Sequence, residues 1–469
     1  MTARSAPLAL PAGRFAVPGN RWDLLDAMTP TRAPSVSVVV AYYDGQRRLE
    51  RMLAALAAQT HPLDRLEVIV ADDGSPTPPV IRADAGLRVQ LVRQEDRGFR
   101  AAAARNLGAA AAQGDVLCFL DDDTLPEPGY LAELTRLPAL LPDALVTGRR
   151  RHVDLDGLDG IEVAGWLRGT HRPSARELPE PEWLRAEHQR TANLLRIGPD
   201  SHRYVISAVL ACHRSLFAEL GGFDPGFDRY GGEDWEFAHR ALCAGAVLAH
   251  EPAAVAWHDG PSWAERSDAG TRRRQKNAET AALLGLIPPA YGRGLAWTGR
   301  PNVVVEIGTD AEDEAAVIVA VASVLAADVD AGVWLRGAPG RAVAERYFAD
   351  DGRVHTGPVD DPAAASARTR VMLSRPLRVA TTAWPRLLDA LGWDDGPGRI
   401  VAGTTDGECT VTLSAAINRA QRWASVASSA ELVDELFGRI DVDAAASGVS
   451  AVPRAPDLAH ELKHLRDPA

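Results

Sequence analysis

The 469-residue sequence contains few cysteines and no long hydrophobic run. No two of its four cysteines form a C-x-x-C pair, so we expect buried reduced thiols and a reducing compartment; they are Cys118, Cys212, Cys243 and Cys409. No apolar stretch reaches the ~20 residues that a membrane span needs. Residues 1–20 contain three prolines and lack the apolar core of a signal peptide. The expected location is therefore the cytoplasm, with peripheral attachment to a membrane left open.

An excess of basic charge is also absent. The sequence has 51 basic and 63 acidic side chains, and its formal net charge is −12. A nucleic-acid-binding protein needs a basic surface to neutralise phosphate, so this class is disfavoured, although a local basic patch for an anionic ligand remains compatible. Hydrophobic residues make up 46% and charged residues 24%, which is typical of a globular protein. At ~100–200 residues per domain, the length predicts two or three domains.

The N-terminal half alternates short apolar runs, the first of them β-branched, with helical patterns. The runs predict strands at 36–40, 68–70, 89–92 and 116–120. Leucine and methionine spacing predicts a helix at 49–56, and alanine content predicts another at 101–112. This alternation indicates the α/β class with a Rossmann-like, mainly parallel sheet.

Aspartates follow three of these strands at the point where each strand ends. They are Asp44, the pair Asp72-Asp73, and the run Asp121-Asp122-Asp123. Ligands of open α/β sheets bind beyond the carboxyl ends of the strands, and right-handed crossovers place those ends on one side. Aspartate is also a common turn residue, but three such clusters in a row predict one acidic cleft.

The rest of the chain divides by composition and periodicity. Residues 1–34 are expected to form an irregular arm, and 35–300 a first α/β domain with a less regular insert at 151–205 on the acceptor side. Residues 301–440 resume an α/β pattern, and 441–469 are expected to be a tail with a loop and a short helix.

Five segments of residues 35–260 resemble family 2 glycosyltransferases, which have the GT-A fold. They are SVVVAYYD at 37–44, VIVADDGS at 68–75, RGFRAAAARNLG at 97–108, VLCFLDDD at 116–123, and the stretch from GGFDPGFDRYGGEDWEF at 221–237 to AWH at 256–258. The last also resembles the carboxyl part of β-galactosyl and polypeptide N-acetylgalactosaminyl transferases. The resemblance implies metal-dependent, inverting transfer of a sugar from a nucleoside diphosphate donor. The expected donor is a UDP-sugar. The acceptor hydroxyl would belong to a glycan, a small molecule or a lipid-linked compound in glycan or glycoconjugate biosynthesis.

The run Asp121-Asp122-Asp123 is the candidate metal site. A diphosphate leaving group needs a hard cation, and such cations take carboxylate oxygens. The alternative is a helix-capping run before Pro126. The resemblance implies that Asp123 binds Mn²⁺ or Mg²⁺ and that Asp121 contacts the ribose or a metal-bound water. Asp122 is assigned to the donor, with an exchange of roles between Asp122 and Asp123 left open.

His258 is the candidate third metal ligand. It follows an apolar stretch that ends in Ala256-Trp257. A lone histidine is most often a structural residue, which is the alternative here. The resemblance implies a metal-ligating histidine at this point, and imidazole suits manganese.

The segment Gly231-Gly232-Glu233-Asp234 is the candidate catalytic centre. Two glycines permit a close backbone approach or a sharp turn, and Asp234 is expected to open a helix. The helix macrodipole would favour its charged form, as a general base requires. The alternative is an ordinary N-cap, and both readings are compatible. The resemblance implies that Asp234 is the base and that Glu233 bonds sugar hydroxyls.

The donor nucleoside is assigned to Tyr42, Asp44 and Asp73, because each lies at the end of a predicted strand. Arg105 would face the diphosphate or orient the aspartates, and the alternative is a solvated helix face. Trp235 is a candidate sugar platform, although tryptophan more often simply buries area.

Three other classes of protein share some of these features. A metal-dependent nucleotidyltransferase would also use a strand-end aspartate cluster, but the lysine-containing phosphate loop that usually accompanies it is missing from the sequence. A second alternative is a nucleotide-sugar binding module without catalysis, and the presence of Asp121–Asp123, Asp234 and His258 argues against it for the N-terminal half. A glycoside hydrolase would need neither metal nor nucleotide.

Residues 301–440 repeat the order of features of the first domain. Valine runs and an apolar helix recur, but Ser374-Arg375-Pro376 stands where the acidic run would recur. We expect a non-catalytic α/β domain, either a degenerate GT-A-like copy or an unrelated domain of similar periodicity. Its expected role is oligomerisation, acceptor binding or support of the first domain.

Overall fold

The computed structural model describes residues 4–82, 86–170, 175–262, 268–290, 292–294, 297–310, 312–394 and 396–466. Its strands are β1 Leu8–Leu10, β2 Arg14–Ala16, β3 Val36–Tyr42, β4 Leu66–Asp72, β5 Arg88–Arg93, β6 Val116–Asp121, β7 Thr124–Pro126, β8 Ala144–Asp154, β9 Arg176–Leu178, β10 Val209–His213, β11 Val247–Asp259, β12 Val303–Gly308, β13 Ala331–Arg336, β14 Val354–Thr356, β15 Thr369–Leu373, β16 Leu377–Val379, β17 Arg399–Gly403, β18 Glu408–Leu413, β19 Arg439–Asp443 and β20 Val449–Ala451. Its α-helices are α1 Gln46–Ala57, α2 Ala101–Ala111, α3 Tyr130–Leu140, α4 Gly160–Leu167, α5 Glu182–Arg190, α6 Arg214–Glu219, α7 Glu233–Cys243, α8 Ala269–Leu284, α9 Glu314–Leu325, α10 Ala338–Tyr347, α11 Asp361–Ser366, α12 Ala383–Asp389, α13 Ser414–Arg422, α14 Ser429–Phe437 and α15 Leu458–Arg466.

The first sheet has the strand order β5-β4-β3-β6-β10-β8-β11-β7, with β9 beside β8. Strands β5, β4, β3 and β6 are parallel, β10 is antiparallel to both of its neighbours, and β8 and β11 are parallel. Helices α1 and α3 cover one face, and α2, α6 and α7 cover the other, so the central valine-rich strands are buried on both sides. The predicted α/β class is confirmed, as are the predicted strands and helices of residues 36–121.

The second sheet has the order β14-β13-β12-β15-β18-β17-β19. This order and every strand direction match β5-β4-β3-β6-β10-β8-β11 of the first sheet. The antiparallel pair β16 and β20 corresponds to the pair β7 and β11. The second sheet also has its own buried core, built on strands β12, β13, β15 and β18 with helices α9, α12 and α14.

The two ends of the chain are more ordered than predicted. The segment expected to be an irregular arm contains the β1–β2 hairpin, and its Val17 and Leu25 lie fully buried in the core of the first sheet. Its Leu8 packs against the core of the second sheet instead. The expected tail at 441–469 contributes β20, which pairs with β16, and α15, whose Leu458 and Leu462 pack against the core of the second sheet. Both segments therefore belong to the packed structure.

Two expectations about composition can be compared directly with the structure. All four cysteines are buried and free, as expected. Within the described ranges, no helix is both long enough and apolar enough to cross a bilayer.

Candidate active site

The ends of β3, β4 and β6 bring the predicted aspartates to one edge of the first sheet. The backbone N–H of Asp73 donates to the carbonyl of Tyr42 at 2.9 Å, and that of Asp122 donates to the carbonyl of Ala41 at 3.2 Å. The N–H of Asp44 donates to the Ser75 hydroxyl at 2.9 Å. The three strand ends are thus joined by hydrogen bonds, which is the convergence that the sequence predicts.

Asp73 lies in the part of this edge assigned to the nucleoside. One carboxylate oxygen accepts a hydrogen bond from Gln94 Nε2 at 2.5 Å, and the other accepts one from the backbone N–H of Arg100 at 2.7 Å. Burial raises the pKa of the Asp73 carboxyl. Its neighbour Asp72 is fully buried and holds the turn after β4 by accepting from the N–H and the hydroxyl of Ser75. Asp72 therefore holds its own turn, while Asp73 is hydrogen-bonded to Gln94 and to the backbone at the start of α2.

The three aspartates after β6 have three different partners. Asp121 accepts from Arg105 Nη2 at 2.7 Å, Asp122 accepts from Arg48 Nε at 3.1 Å, and Asp123 Oδ1 lies 3.1 Å from His258 Nδ1. They precede β7, and helix α3 begins without a side-chain cap, so the helix-capping alternative is wrong.

Asp122 and Asp123 differ in their surroundings. Burial raises the pKa of Asp122 to about 7, and its Oδ2 is buried without a hydrogen-bond partner. The side chain of Asp123 is 27% exposed. Of the two, Asp123 is the one that meets His258 at an accessible surface.

His258 lies next to the end of the long strand β11, opposite Thr124 of β7. The backbone N–H of the following residue, Asp259, donates to the carbonyl of Asp123 at 2.8 Å. The Asp259 carboxylate in turn accepts from Arg51 Nη1 at 2.6 Å, and Arg51 is 4% exposed. The His152 ring lies 4.9 Å from the His258 ring, centroid to centroid. Arg51, Asp259 and His152 were not among the predicted site residues, although Asp259 directly follows a predicted ligand.

The Asp123–His258 pair fits a divalent cation. Donor atoms about 2.1 Å from one ion, on adjacent coordination positions, lie about 3 Å apart, and the observed separation is 3.1 Å. Among the residues with described positions, no three metal-ligating side chains form a cluster. Two protein donors leave the other positions to phosphate oxygens and water, as is usual for Mg²⁺.

Helix α7 begins at the predicted catalytic centre. Its N-cap is Gly232, with φ +100°, and no side chain caps this end, so the N-cap alternative for Asp234 is wrong. A side chain at Gly231, where φ is +94°, would come within 3.0 Å of the Glu279 carboxylate of α8. The two glycines therefore allow both a left-handed backbone and the close approach of α8.

Arg105 connects this centre to the acidic run. Its guanidinium donates to Asp121 at 2.7 Å and to Glu233 at 3.1 Å, and the residue is 3% exposed. The solvated-face alternative for Arg105 is therefore wrong. The two carboxylates hold the pKa of Arg105 above its ordinary value despite its burial.

Asp234 lies one residue further along α7. Its Oδ1 accepts from the backbone N–H of Trp235 at 2.9 Å. Loss of hydration raises its pKa to about 7, with a further contribution from the Glu233 charge. The macrodipole was expected to favour the charged form, and desolvation outweighs it. The carboxyl is therefore poised to exchange a proton near neutral pH.

Trp235 is partly buried, and the Lys276 ammonium of α8 lies 4.2 Å from its ring centroid. Lys276 also pairs with Glu279 at 2.6 Å. The indole thus already carries a cation–π contact, which a sugar stacking on the same side would have to displace.

The corresponding edge of the second sheet can be located by strand register. Val36 pairs with Val116 in the first sheet, and Val303 pairs with Thr369 in the second. His258 pairs with Thr124, and Ala451 pairs with Leu377. This register places Ser374, Pro376 and Ala451 where Asp121, Asp123 and His258 stand in the first sheet. Counting from the N-caps Gly232 and Ser428 places Ala430 at the position of Asp234.

Comparison with known proteins defines the class of the first region. Residues 37–191 match the model of glycosyl transferase family 2, and residues 192–253 match the model described as the N-terminal domain of galactosyltransferase. These adjoining matches confirm, over residues 37–253, the resemblance to family 2 glycosyltransferases that the motifs indicate.

Individual relatives are glycosyltransferases by name. The chain is 30% identical over 275 residues to a hyaluronan synthase of Pasteurella multocida, covering 55% of this chain and 27% of that protein. It is 31% identical over 235 residues to a validoxylamine A glucosyltransferase of Streptomyces hygroscopicus subsp. jinggangensis, covering 46% of this chain and 54% of that protein. The chain thus spans between about a quarter and about half of the length of these relatives. A solved mannosyltransferase of Pyrobaculum calidifontis, in complex with GDP-Man and Mn²⁺, is 22% identical with a TM-score of 0.37, covering 54% of this chain and 66% of that one.

Proposed function

We propose that this chain transfers a sugar from a nucleoside diphosphate sugar to an acceptor hydroxyl with inversion at the anomeric carbon. The observation that carries the proposal is the connected set of polar side chains at one sheet edge. Asp123 lies beside His258, and Arg105 ties the neighbouring Asp121 to Glu233, which directly precedes Asp234. A donor-binding end and a proton-accepting end are therefore held in one fixed arrangement.

The donor would lie along the ends of β3, β4 and β6. Asp73, with Tyr42 and Asp44 beside it, would accept hydrogen bonds from the nucleoside base. Asp121 and Asp122 would border the ribose and the diphosphate. Arg105 would orient Asp121 and Glu233, since both ends of its guanidinium are already engaged by these carboxylates. A UDP-sugar is the first donor to test.

Asp123 and His258 would hold Mn²⁺ or Mg²⁺, which when bound would neutralise the charge of the diphosphate. Their oxygen and nitrogen donors and the 3.1 Å separation support this assignment. Both side chains are also fixed by backbone pairing, because the N–H of Asp259 bonds the carbonyl of Asp123.

The proton step belongs to Asp234. Its carboxylate would accept the proton of the acceptor hydroxyl as that oxygen forms a bond to the anomeric carbon. The bond from the anomeric carbon to the phosphate oxygen breaks on the opposite face, and its electron pair leaves with the nucleoside diphosphate. No enzyme nucleophile takes part, so the configuration inverts. Glu233 would hydrogen-bond a sugar hydroxyl through its second oxygen, which is buried without a partner.

We also propose that the second sheet is a degenerate, non-catalytic copy of the first. The shared strand order supports a copy, and the residues Ser374, Pro376, Ala430 and Ala451 support the loss of metal and base chemistry. None of these four side chains offers a carboxylate or an imidazole.

A donor screen tests the proposed function. The chain is incubated with Mn²⁺ and a panel of UDP-, GDP- and dTDP-sugars, and released nucleoside diphosphate is measured with and without sugar acceptors. Release of nucleoside diphosphate from one donor class supports the proposal. Release of pyrophosphate from a nucleoside triphosphate and a sugar phosphate would support the nucleotidyltransferase alternative. Nucleotide binding, seen as a thermal shift with UDP and Mn²⁺, without turnover of any donor would support the binding-module alternative.

A further inference from the structure

The second sheet and the helices that pack on it lie within residues 303–466, which we call the second-sheet region. Helix α7 runs from the proposed base to this region. It has eleven residues, from Glu233 to Cys243, and so extends about 16 Å. Arg105 holds its first residue through the Glu233 carboxylate. Its other end is enclosed by α13, which belongs to the second sheet's region.

Only some of the carbonyl groups at the end of α7 accept a hydrogen bond from the helix's own backbone. The N–H of Gly245, where φ is +81°, donates to Leu242, and the N–H of Ala246 donates to Ala241. This is the Schellman pattern, which leaves the carbonyls of Cys243 and Ala244 without intrahelical donors.

Three side chains of α13 supply donors to this end. Asn418 Nδ2 donates to the Cys243 carbonyl at 2.9 Å, and Arg422 Nη2 donates to the Ala244 carbonyl at 2.8 Å. Arg419 Nε donates to the Gly245 carbonyl at 2.7 Å. Asn418 and Arg422 are four residues apart, so they project from one face of α13.

The two arginines also place positive charge at the negative end of the α7 macrodipole. Arg419 is 2% exposed, and its remaining hydrogen bonds run to the carbonyls of Val17, Gly19 and Ala246. Burial lowers its pKa to about 10, which leaves it charged at neutral pH. Arg422 is fixed in turn by Asp143 and Glu219, each at 2.6 Å.

The packing at this end leaves little freedom for α7 to shift. A side chain added at Gly245 would collide with the Ala415 carbonyl at the start of α13. His239 and Cys243, one turn apart on α7, both contact the Ser366 carbonyl of α11, the imidazole at 3.0 Å. Every one of these contacts joins α7 to a residue of the second-sheet region.

We propose that the second-sheet region acts as the C-terminal cap of α7 and thereby positions Asp234. Asn418, Arg419 and Arg422 are positioning residues, since they touch the far end of the helix and not the reacting groups. The catalytic part of this inference rests on the proposed function. A rigid helix held at both ends transmits a displacement of one end to the other, and a misplacement of about 1 Å can cost a reaction about 10²-fold. The non-catalytic copy would therefore be required for the activity of the catalytic one.

The test compares cap variants with a matched control in the full-length chain. The cap variants are Asn418→Ala, Arg422→Gln and the conservative Arg422→Lys. The control is Arg399→Ala, which breaks the ion pair with Asp434 inside the second-sheet region, at 2.9 Å and similarly buried. Thermal unfolding, hydrogen–deuterium exchange of residues 233–246, UDP affinity with Mn²⁺, and kcat are measured for each.

In the cap variants Asn418→Ala and Arg422→Gln, we expect faster exchange in residues 233–246 and a kcat lower by about ten-fold, with UDP affinity changed by less than about two-fold. Arg422→Lys keeps the charge, so it should retain part of the exchange protection of residues 233–246 and part of kcat. Arg399→Ala should leave exchange of α7 and kcat unchanged even where it lowers thermal stability. Unchanged exchange in folded cap variants, or an equal loss of kcat in the control, would overturn the proposal. If the wild-type chain transfers no sugar, the proposed function fails, while the exchange measurement still decides whether α13 caps α7.

Discussion

The first and second sheets can be compared strand by strand, because their seven corresponding strands have the same order and directions. Their buried positions are similarly apolar, with Val38 and Val40 in one and Val303 and Val305 in the other. They differ where the strands end. The first sheet presents Asp121, Asp123 and His258, and the second presents Ser374, Pro376 and Ala451 at the same register.

This difference shows that the fold and the chemistry are carried by separate sets of residues. Strand order depends on buried apolar runs and on crossover geometry, so it can persist after the strand-end residues change. The active site needs a few polar residues that contribute little to that core. The second sheet can therefore lose its ligands and still fold, and the comparison is open to test at matched positions.

Removal of the metal or of its ligand should give the largest difference in turnover between matched changes in the two sheets. Asp123→Ala should reduce turnover to background, and chelation of the wild-type chain should do the same until Mn²⁺ or Mg²⁺ is restored. Pro376→Ala, the matched change in the second sheet, should leave turnover unchanged. Released nucleoside diphosphate is the measurement, with thermal unfolding to show that each variant is folded. Full activity in excess chelator would contradict the proposed difference between the sheets, because the first sheet would then need no metal.

Removal of the base should have the next largest effect. Asp234→Asn keeps the shape of the side chain and removes proton acceptance, which typically costs about 10²–10⁴-fold in rate. Its matched change, Ala430→Asn in α14, should have no effect on the rate. UDP affinity should be nearly unchanged in both variants, because Asp234 acts on the acceptor. Transfer by Asp234→Asn at the wild-type rate would assign the base to another residue, with Glu233 as the first candidate.

The pH dependence should follow the raised pKa of Asp234, which is about 7. Because the pKa is raised, the carboxyl is protonated below about pH 7 and cannot accept a proton. The value of kcat/KM should therefore fall about ten-fold per pH unit below that point and reach a plateau above it. Glu233→Gln removes a charge that raises this pKa, so the falling limb should move to lower pH. A profile that is flat from pH 5 to 8 would contradict the assignment.

Loss of an arginine at the edge of each sheet, buried in the first and partly buried in the second, should lower stability moderately in both sheets and distinguish them by activity. Arg105→Met removes the hydrogen bonds to Asp121 and Glu233, and Arg375→Met removes the one to Glu312. Each hydrogen bond to a charged group contributes about 1.5–3 kcal/mol, less where the pair is partly exposed. Denaturant unfolding should show a loss in both variants. Only Arg105→Met should also lose transfer, and an equal loss of transfer in Arg375→Met would contradict a non-catalytic second sheet.

Much of the first sheet could be predicted because its signals are local. Strands β3, β4 and β6 are built on short apolar runs, and each run is followed within a few residues by aspartate. Convergence of these aspartates then follows from the general geometry of parallel sheets. For the second region the sequence indicated only the order of features in outline, and it did not indicate the short strand β20, which has no periodic pattern that separates it from a tail.

The partners of the site residues could not be predicted, because they are distant in sequence. Arg48 reaches Asp122 across 74 residues, and Arg51 reaches Asp259 across 208. The rise in the Asp234 pKa arises first from burial and then from the charge of Glu233, with a smaller contribution from the charge of Glu279 on helix α8. Sequence position alone predicted that Asp234 lies at a helix start and that its carboxylate is charged. The helix start is confirmed, but the tertiary surroundings raise the pKa and so disfavour the charged form.

Calorimetric titration with UDP and Mn²⁺ tests most directly the claim that one sheet is catalytic and its counterpart is not. The account predicts one binding site per chain, which Asp123→Ala abolishes and which Pro376→Ala and Ala451→Gly leave intact. Two sites per chain, or a single site that survives Asp123→Ala and disappears on a change at the edge of the second sheet, would contradict it.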